Sequence, residues 1–166
     1  MKNIILVGFM GTGKTSVGQE LAKKLKMRFV DMDDLIEERE GMKISDIFAK
    51  KGEAHFRQVE KETAKHISTQ SNLVVGAGGG AVIDEENVKN FKSSGIVICL
   101  AASVDRILER TNGYSHRPLL NVSDPKEKIS KLLAKRAQYY ARADYRVDTS
   151  DLSIKGAVER ILELIK

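Results

Sequence analysis

The chain has 166 residues, of which 42% are hydrophobic and 31% charged, and its formal net charge is +5. This composition is ordinary for a single globular domain that buries a core, and the apolar runs are too short to cross a bilayer. The single cysteine excludes an internal disulfide, and no signal-peptide layout or basic, aromatic-rich tail is present. We therefore expect a cytoplasmic protein that binds neither membranes nor nucleic acids.

The first predicted strand, Asn3–Val7, leads into the octet Gly8-Phe9-Met10-Gly11-Thr12-Gly13-Lys14-Thr15. The octet fits the phosphate-binding pattern G-x-x-x-x-G-K-[ST], and a predicted helix, Ser16–Leu25, follows it. A strand, a loop and a helix in this order turn backbone N–H groups and the positive end of a helix toward one point. In this interpretation Lys14 reaches the β- and γ-phosphates and the Thr15 hydroxyl ligates Mg²⁺. The alternative is a glycine-rich turn that only connects a strand to a helix.

The rest of the chain alternates helices and strands. Ser45 is the expected N-cap of one short helix. The predicted strands are Asn3–Val7, Arg28–Asp31, Leu73–Gly76, Gly95–Leu100 and Asp144–Asp148. The predicted helices after the first are Asp33–Glu40, Ser45–Ala49, Glu53–Ser68, Glu85–Lys92, Val104–Glu109, Lys126–Ala141 and Ile154–Ile165. This alternation predicts an α/β fold in which a five-stranded parallel sheet is covered by helices on both faces, a three-layer sandwich.

Polar residues and glycines follow two of these strands. In a parallel sheet, ligands bind where the carboxyl ends of the strands meet. Asp31 ends the second strand and Asp33 follows it, and we expect them to hold Mg²⁺ through water or to take a substrate proton. The alternative is capping of the next helix, which is what we expect of Asp34. After the third strand, the backbone of Gly78–Gly80 either binds a hydroxyl or carboxylate or forms only a tight turn.

Three arginines are candidates for binding an anionic substrate: Arg57 on a helix, Arg117 in a loop and Arg136 on a long basic helix. Planar guanidinium groups suit bidentate recognition of carboxylate or phosphate, although each could instead be a solvated surface group. The small and polar residues around Arg117 are typical of a mobile lid. Tyr139 and Tyr140 are expected to serve packing rather than chemistry.

In motif and order the chain resembles the shikimate kinase family along nearly its whole length. Six motifs carry the resemblance: Gly8–Thr15, Asp31-Met32-Asp33, Gly52-Glu53-Ala54-His55-Phe56-Arg57, Gly78-Gly79-Gly80, Arg117-Pro118-Leu119-Leu120 and Arg136-Ala137-Gln138-Tyr139-Tyr140. The phosphate loop alone is common to many NTPases, whereas the ordered set is specific. The resemblance implies a P-loop NTPase fold of the nucleoside-monophosphate-kinase type. It also implies ATP-dependent phosphorylation of the 3-hydroxyl of shikimate, on the route to chorismate and the aromatic amino acids.

The resemblance also implies a role for each matching residue. The implied catalytic residues are Lys14, Asp33 and Arg117, and the implied metal-binding residues are Thr15 and Asp31. ATP would be bound by Gly11, Thr12, Gly13, Lys14, Thr15, Ser16, Arg110 and Arg117, with Arg110 against adenine. Shikimate would be bound by Asp33, Arg57, Gly78, Gly79, Gly80 and Arg136, with both arginines on its carboxylate. The implied layout is one domain, 1–166, with a mobile lid at about 111–123 and a substrate-binding helical segment at about 32–62.

Two alternatives remain open at the level of sequence. A kinase for another small carboxylated polyol such as gluconate would use the same arginines, and a nucleotide-binding module without catalysis would keep the phosphate loop. The chain also departs from relatives in two places. Ala77 stands where many carry Thr or Ser, and 150–153 lacks a proline that often contacts adenine, so the adenine contacts are open. We expect a monomer with ATP and shikimate as its small-molecule partners and Mg²⁺ as cofactor.

Overall fold

The protein is described by a computed structural model that places residues 1–111 and 123–166. Its sheet has five strands: β1 Asn3–Val7, β2 Arg28–Asp31, β3 Leu73–Gly76, β4 Gly95–Ala101 and β5 Tyr145–Asp148. They lie in the order β2-β3-β1-β4-β5, and every neighbouring pair is parallel. The predicted five-stranded parallel sheet is confirmed.

Eight helices accompany the sheet in the described part of the chain. They are α1 Lys14–Leu25, α2 Met32–Glu40, α3 Ile44–Lys51, α4 Glu53–Ser68, α5 Glu85–Ser94, α6 Val104–Thr111, α7 Pro125–Tyr140 and α8 Ile154–Leu164. A short 3₁₀ turn, Ala81–Ile83, was not predicted. Among the described residues, no helix combines the length and the apolar character needed to cross a membrane.

The alternating side chains of β1 show how the two faces of the sheet are filled. Ile5 and Val7 belong to one buried cluster, which also contains residues of α4 and α5. Ile4 and Leu6 belong to the other cluster, together with residues of α1 and α8. Both faces of a central parallel strand are therefore buried, which explains why β1 reads as an unbroken apolar run.

The start of α3 differs from the prediction. Ser45 is not its N-cap, because the helix already begins at Ile44. The N-cap is Lys43, whose side chain forms no capping hydrogen bond. Instead the Glu37 carboxylate of α2 accepts a hydrogen bond from the Ile44 amide at 2.9 Å. A carboxylate from the preceding helix thus satisfies one of the free amides at the start of α3.

The strand order brings three loops together. Because β3 lies between β1 and β2, the segments that follow these strands emerge side by side at one edge of the sheet. The register pairs Leu6 and Asp31 with the same residue, Gly76, and the Ala77 amide donates to Leu6 O at 2.9 Å. The phosphate loop, the Asp31 segment and the triple glycine therefore meet, as the carboxyl-end rule predicts.

Candidate active site

The phosphate loop joins β1 to α1 in a conformation that depends on glycine. Gly8, Gly11 and Gly13 have φ values of 139°, 76° and 100°. A Cβ at position 8 would lie 2.2 Å from Leu100 O, so a side chain is excluded there on steric grounds as well. The loop ends at the N-terminus of a 12-residue helix, where free N–H groups and the helix dipole favour an anion.

Side chains of the loop hold its shape. Lys14 Nζ donates to Gly8 O at 2.7 Å and to Phe9 O at 2.9 Å, which keeps the ammonium group over the mouth of the loop. Thr12 is buried, and its hydroxyl donates to Phe9 O at 2.8 Å. Gly11, Gly13 and Thr15 complete the cradle, and Ser16 follows in the first turn of α1, exposed. The structure thus places residues 11–16, which the sequence predicts to bind phosphate, in the loop and the first turn of α1.

The two residues predicted to bind metal lie next to each other. Thr15 Oγ1 donates to Asp31 Oδ2 at 3.3 Å across the gap between α1 and β2. The other oxygen of Asp31 accepts from the amides of Asp33 and Asp34, so Asp31 is the N-cap of α2. The expectation that Asp34 is the cap is wrong, because Asp34 lies in the first turn and donates its amide to the true cap. Asp31 is therefore the helix cap through Oδ1, while Oδ2, which faces Thr15, is the oxygen that the predicted metal role would use.

The triple glycine lies against the charged residues predicted to bind substrate. A Cβ at position 80 would lie 2.8 Å from both terminal nitrogens of Arg57. At position 79 it would lie 3.7 Å from Arg136 Nη1 and 3.7 Å from Gly8 O, and at position 78 it would lie 3.1 Å from Asp33 Oδ1. A side chain at position 80 would therefore collide with Arg57 and one at position 78 would crowd Asp33, whereas the space between position 79 and Arg136 is that of an ordinary contact.

The sequence reasoning missed Glu60, which completes this cluster. Its side chain is only 2% exposed and pairs with Arg57 at 2.9 Å, and its Oε2 would lie 3.1 Å from a Cβ at position 78. Burial raises the pKa of Glu60 above its usual range, and the charge of Asp33 raises it further, whereas Arg57 and Arg136 act to lower it. The available signal was its position on α4, because residue 60 lies within the apolar stripe of that helix.

On the nucleotide side of the loop, Arg110 ties three segments together. Its guanidinium donates to Gly11 O at 3.3 Å, to Thr149 Oγ1 at 3.0 Å and to Thr149 O at 2.7 Å. Thr149 is 3% exposed and was also missed; its hydroxyl donates to Thr12 O at 2.8 Å. Arg110 thus braces the loop against the end of β5, and its predicted contact with adenine stays a prediction.

Arg117 and nearly all of the predicted lid at about 111–123 lie outside the described residues. The predicted substrate-binding segment, about 32–62, corresponds to α2, α3 and the first part of α4. Its inner surface is formed by Ile36, Ile47, Phe56 and Val59, which make a separate buried cluster. These helices therefore present Asp33 and Arg57 on a support with its own core.

The site combines a phosphate cradle with an adjoining anion pocket that carries a carboxylate. Among the described residues, no group of three or more His, Cys, Asp or Glu side chains could hold a metal ion by itself. The Thr15 hydroxyl and the Asp31 carboxylate are hard oxygen ligands, which suits Mg²⁺ that takes its other ligands from phosphates and water. The arrangement fits transfer of a phosphoryl group between a polyphosphate and a small acidic acceptor.

Comparison with known proteins agrees with this geometry. The family profile described as shikimate kinase matches residues 10–166. A shikimate kinase of Thermodesulfovibrio yellowstonii is 48% identical over 163 residues, covering 98% of this chain and 94% of that protein. The structure of shikimate kinase from Acinetobacter baumannii in complex with shikimate superposes with a TM-score of 0.95 at 38% identity, covering 99% of this chain and 93% of that one. The crystal structure of the Aquifex aeolicus shikimate kinase gives 0.83 at 35% identity, covering 98% and 95%.

Proposed function

The chain belongs to the shikimate kinase family, with the P-loop NTPase-like α/β fold of its members, and on this premise we propose what its site does. The protein transfers the γ-phosphoryl group of ATP to the 3-hydroxyl of shikimate, giving shikimate 3-phosphate and ADP, in the biosynthesis of chorismate and the aromatic amino acids. One observation supports this most strongly. A Cβ built on Gly79 would lie 3.7 Å from Arg136 Nη1 and 3.7 Å from Gly8 O, so an acid held by Arg136 beside this glycine adjoins the phosphate cradle.

The acceptor is held by charge complementarity. Arg57 and Arg136 approach the glycine turn from α4 and α7, and together they can bind the carboxylate of shikimate by charge-assisted hydrogen bonds. Asp33, on α2, lies against the same turn, where its carboxylate can accept hydrogen bonds from hydroxyl groups of the acceptor. The backbone of Gly78, Gly79 and Gly80 supplies further polar groups at close range.

The transfer depends on position and charge more than on covalent chemistry. The 3-oxygen of shikimate bonds to the γ-phosphorus while the bond from that phosphorus to the β–γ bridging oxygen breaks and leaves ADP. The hydroxyl proton passes to Asp33, although a loose transition state makes a strong base less necessary. Lys14, held over the loop by two carbonyl groups, and Arg117 neutralise charge on the transferring group.

Thr15 and Asp31 would hold Mg²⁺ beside the phosphates, Thr15 directly and Asp31 through water. When bound, Mg²⁺ neutralises negative charge on the β- and γ-phosphate oxygens. The 3.3 Å contact between the two side chains supports a shared ion, since both atoms face one small volume. Ser16 and the amides of 11–15 complete the ATP site, and Arg110 contacts adenine.

We further propose that the enzyme is one domain that acts as a cytoplasmic monomer and closes over its substrates with a lid at about 111–123. ATP is a cytoplasmic metabolite, which supports the proposed location. A gluconate kinase or a nucleotide-binding module without catalysis remains as the alternative outcome of the test below.

The test is ADP release from MgATP with shikimate, gluconate, a nucleoside monophosphate or no acceptor. We expect release with shikimate alone. We also expect Arg136→Ala to raise the KM for shikimate by about 10- to 100-fold, the range for a lost charged hydrogen bond. The control is Arg160→Ala, whose exposed side chain pairs with Glu163 on α8. Release with gluconate would overturn the acceptor, and no release at all would favour the binding module.

A further inference from the structure

Two adjacent tyrosines end helix α7 and differ in what their hydroxyl groups do. Tyr140 OH donates to Gly79 O at 2.7 Å, joining α7 to the glycine turn. Its ring packs against the buried cluster around Phe9. The Tyr139 ring instead lies under the guanidinium of Arg142, at 4.9 Å. The sequence predicted only packing for both, which for Tyr140 leaves out a hydrogen bond to the proposed acceptor site.

The bond to Gly79 O controls the direction of a neighbouring donor. In a trans peptide the carbonyl of residue 79 and the N–H of Gly80 share one plane and point in opposite directions, and no described peptide bond is cis. Because neither Gly79 nor Gly80 has a Cβ, this peptide plane can rotate with little steric resistance. A hydrogen bond from a rigid aromatic side chain selects one orientation, with the carbonyl toward α7 and the N–H away from it.

The same helix fixes the next residues of the turn. Arg142, two residues beyond Tyr140, donates to Val82 O at 2.9 Å and to Ile83 O at 3.2 Å. The 3₁₀ turn after the triple glycine is therefore anchored to the C-terminal end of α7. Arg142 therefore holds the end of the turn at Val82 and Ile83. The hydrogen bond from Tyr140 acts at the start of the same turn and orients the peptide between Gly79 and Gly80.

Tyr140 and Arg136 also lie one turn apart on α7 and act on the same glycine. Burial raises the pKa of the Tyr140 hydroxyl to about 12, while the charge of Arg136 and its hydrogen bond with that hydroxyl act in the opposite direction. The hydroxyl consequently stays protonated throughout the neutral range and remains a donor. Arg136 Nη1 in turn lies 3.7 Å from where a Cβ of residue 79 would be.

We propose that Tyr140 is a positioning residue for the acceptor: by holding the Gly79 carbonyl toward α7, its hydroxyl keeps the Gly80 N–H on the opposite side, where Arg57 approaches Gly80, available to the substrate. This rests on the proposed function for the identity of the acceptor, but not for the hydrogen bond itself. A reversed peptide would remove a donor and turn a carbonyl oxygen toward an acceptor that carries a carboxylate. The Tyr140 hydroxyl donates to Gly79 O, in the turn assigned to the acceptor, so we expect the effect on acceptor binding and not on ATP binding.

The first test compares Tyr140→Phe with the matched control Tyr139→Phe. Each variant keeps its ring and loses one hydroxyl. For Tyr140→Phe we expect kcat/KM for shikimate to fall about fivefold, mainly through KM, the factor for one hydrogen bond of ordinary strength. We expect the KM for ATP to stay unchanged, and Tyr139→Phe to match the wild type in both constants. Equal changes in both KM values, or an unchanged KM for shikimate, would overturn the proposal.

The second test needs no substrate. In the ligand-free protein the amide signal of Gly80 is followed by ¹⁵N NMR and hydrogen exchange. We expect Tyr140→Phe to shift this signal and speed its exchange, while Tyr139→Phe leaves it in place. An unmoved Gly80 signal in Tyr140→Phe would overturn the positioning role. If the wild type failed to phosphorylate shikimate, the proposed function would fail while this comparison still decided the role of Tyr140.

Discussion

Replacing Arg57 by Ala should weaken the fold as well as substrate binding, because Glu60 depends on it. The two side chains pair at 2.9 Å, with Glu60 2% and Arg57 33% exposed. At an effective dielectric constant of about 20, two unit charges about 4 Å apart attract by about 4 kcal/mol. Removing one partner of a buried pair costs about 3–5 kcal/mol. Because Arg57 is partly solvated and Arg136 also acts on Glu60, we expect a loss of about 2–3 kcal/mol in the free energy of unfolding at pH 7.

The loss should depend on pH in a defined direction. The pKa of Glu60 is raised in the folded protein, so the folded state binds this proton more readily than the unfolded state. Its contribution to stability is therefore fully present below the unfolded pKa and is lost as pH rises through the folded pKa. Arg57→Ala raises that pKa further, so its deficit should shrink as the pH falls toward 5.

Denaturant unfolding monitored by circular dichroism measures both effects. The control is Arg39→Ala, which removes an exposed ion pair with Glu62 and should cost at most about 0.5 kcal/mol. In the double variant Arg57→Ala/Glu60→Gln most of the stability should return, while shikimate binding should not. A loss in Arg57→Ala no larger than in Arg39→Ala, or one that persists fully in the double variant, would refute the reasoning.

Three further predictions concern the nucleotide side and the core. Arg117→Ala should lower kcat by about 10³-fold without changing the unfolding midpoint, as expected for an arginine that stabilises the transferring group; unchanged turnover would exclude that role. Arg110→Ala should raise the KM for ATP about tenfold, because its charged hydrogen bonds to Gly11 and Thr149 are lost. The control Arg106→Ala, exposed on the same helix, should leave the KM for ATP unchanged. Equal effects of the two variants would contradict the role of Arg110 in holding the phosphate loop. Cys99 is 2% exposed, and burial raises the pKa of its thiol, although the charges of Arg146 and Lys14 act to lower that pKa. A thiol reagent should therefore react with Cys99 only after unfolding. Rapid reaction of the native protein would disprove its burial.

The elements that the sequence predicted well are those with strong local signals. The phosphate loop follows a buried strand and opens a helix, and its glycines have the positive φ values that the pattern requires. The apolar stripe on α4, including Phe56, Val59 and Ile67, is buried as its spacing predicts. The order of the strands could not be read in the same way, since adjacency in a sheet depends on packing between distant segments and not on local pattern.

The contacts that the sequence reasoning missed at the site share one physical cause: polar side chains form hydrogen bonds or ion pairs with buried backbone or buried charged groups. Glu60 lies in the apolar stripe of α4, but only the fold shows that it is buried beside Arg57. Thr149 and Tyr140 donate to backbone carbonyls of Thr12 and Gly79, partners 137 and 61 residues away. Contacts over such separations leave no periodic trace in the sequence, so only the assembled fold reveals them.

The position of the transferred phosphoryl group tests the central claim most directly. The wild-type protein is incubated with MgATP and shikimate, and the product is analysed by a ³¹P–¹H correlation NMR experiment. The account predicts one new phosphate ester whose phosphorus couples to the proton on carbon 3 of shikimate, with ADP formed in equal amount. Coupling to a proton on another carbon, or ADP accompanied only by inorganic phosphate, would contradict it.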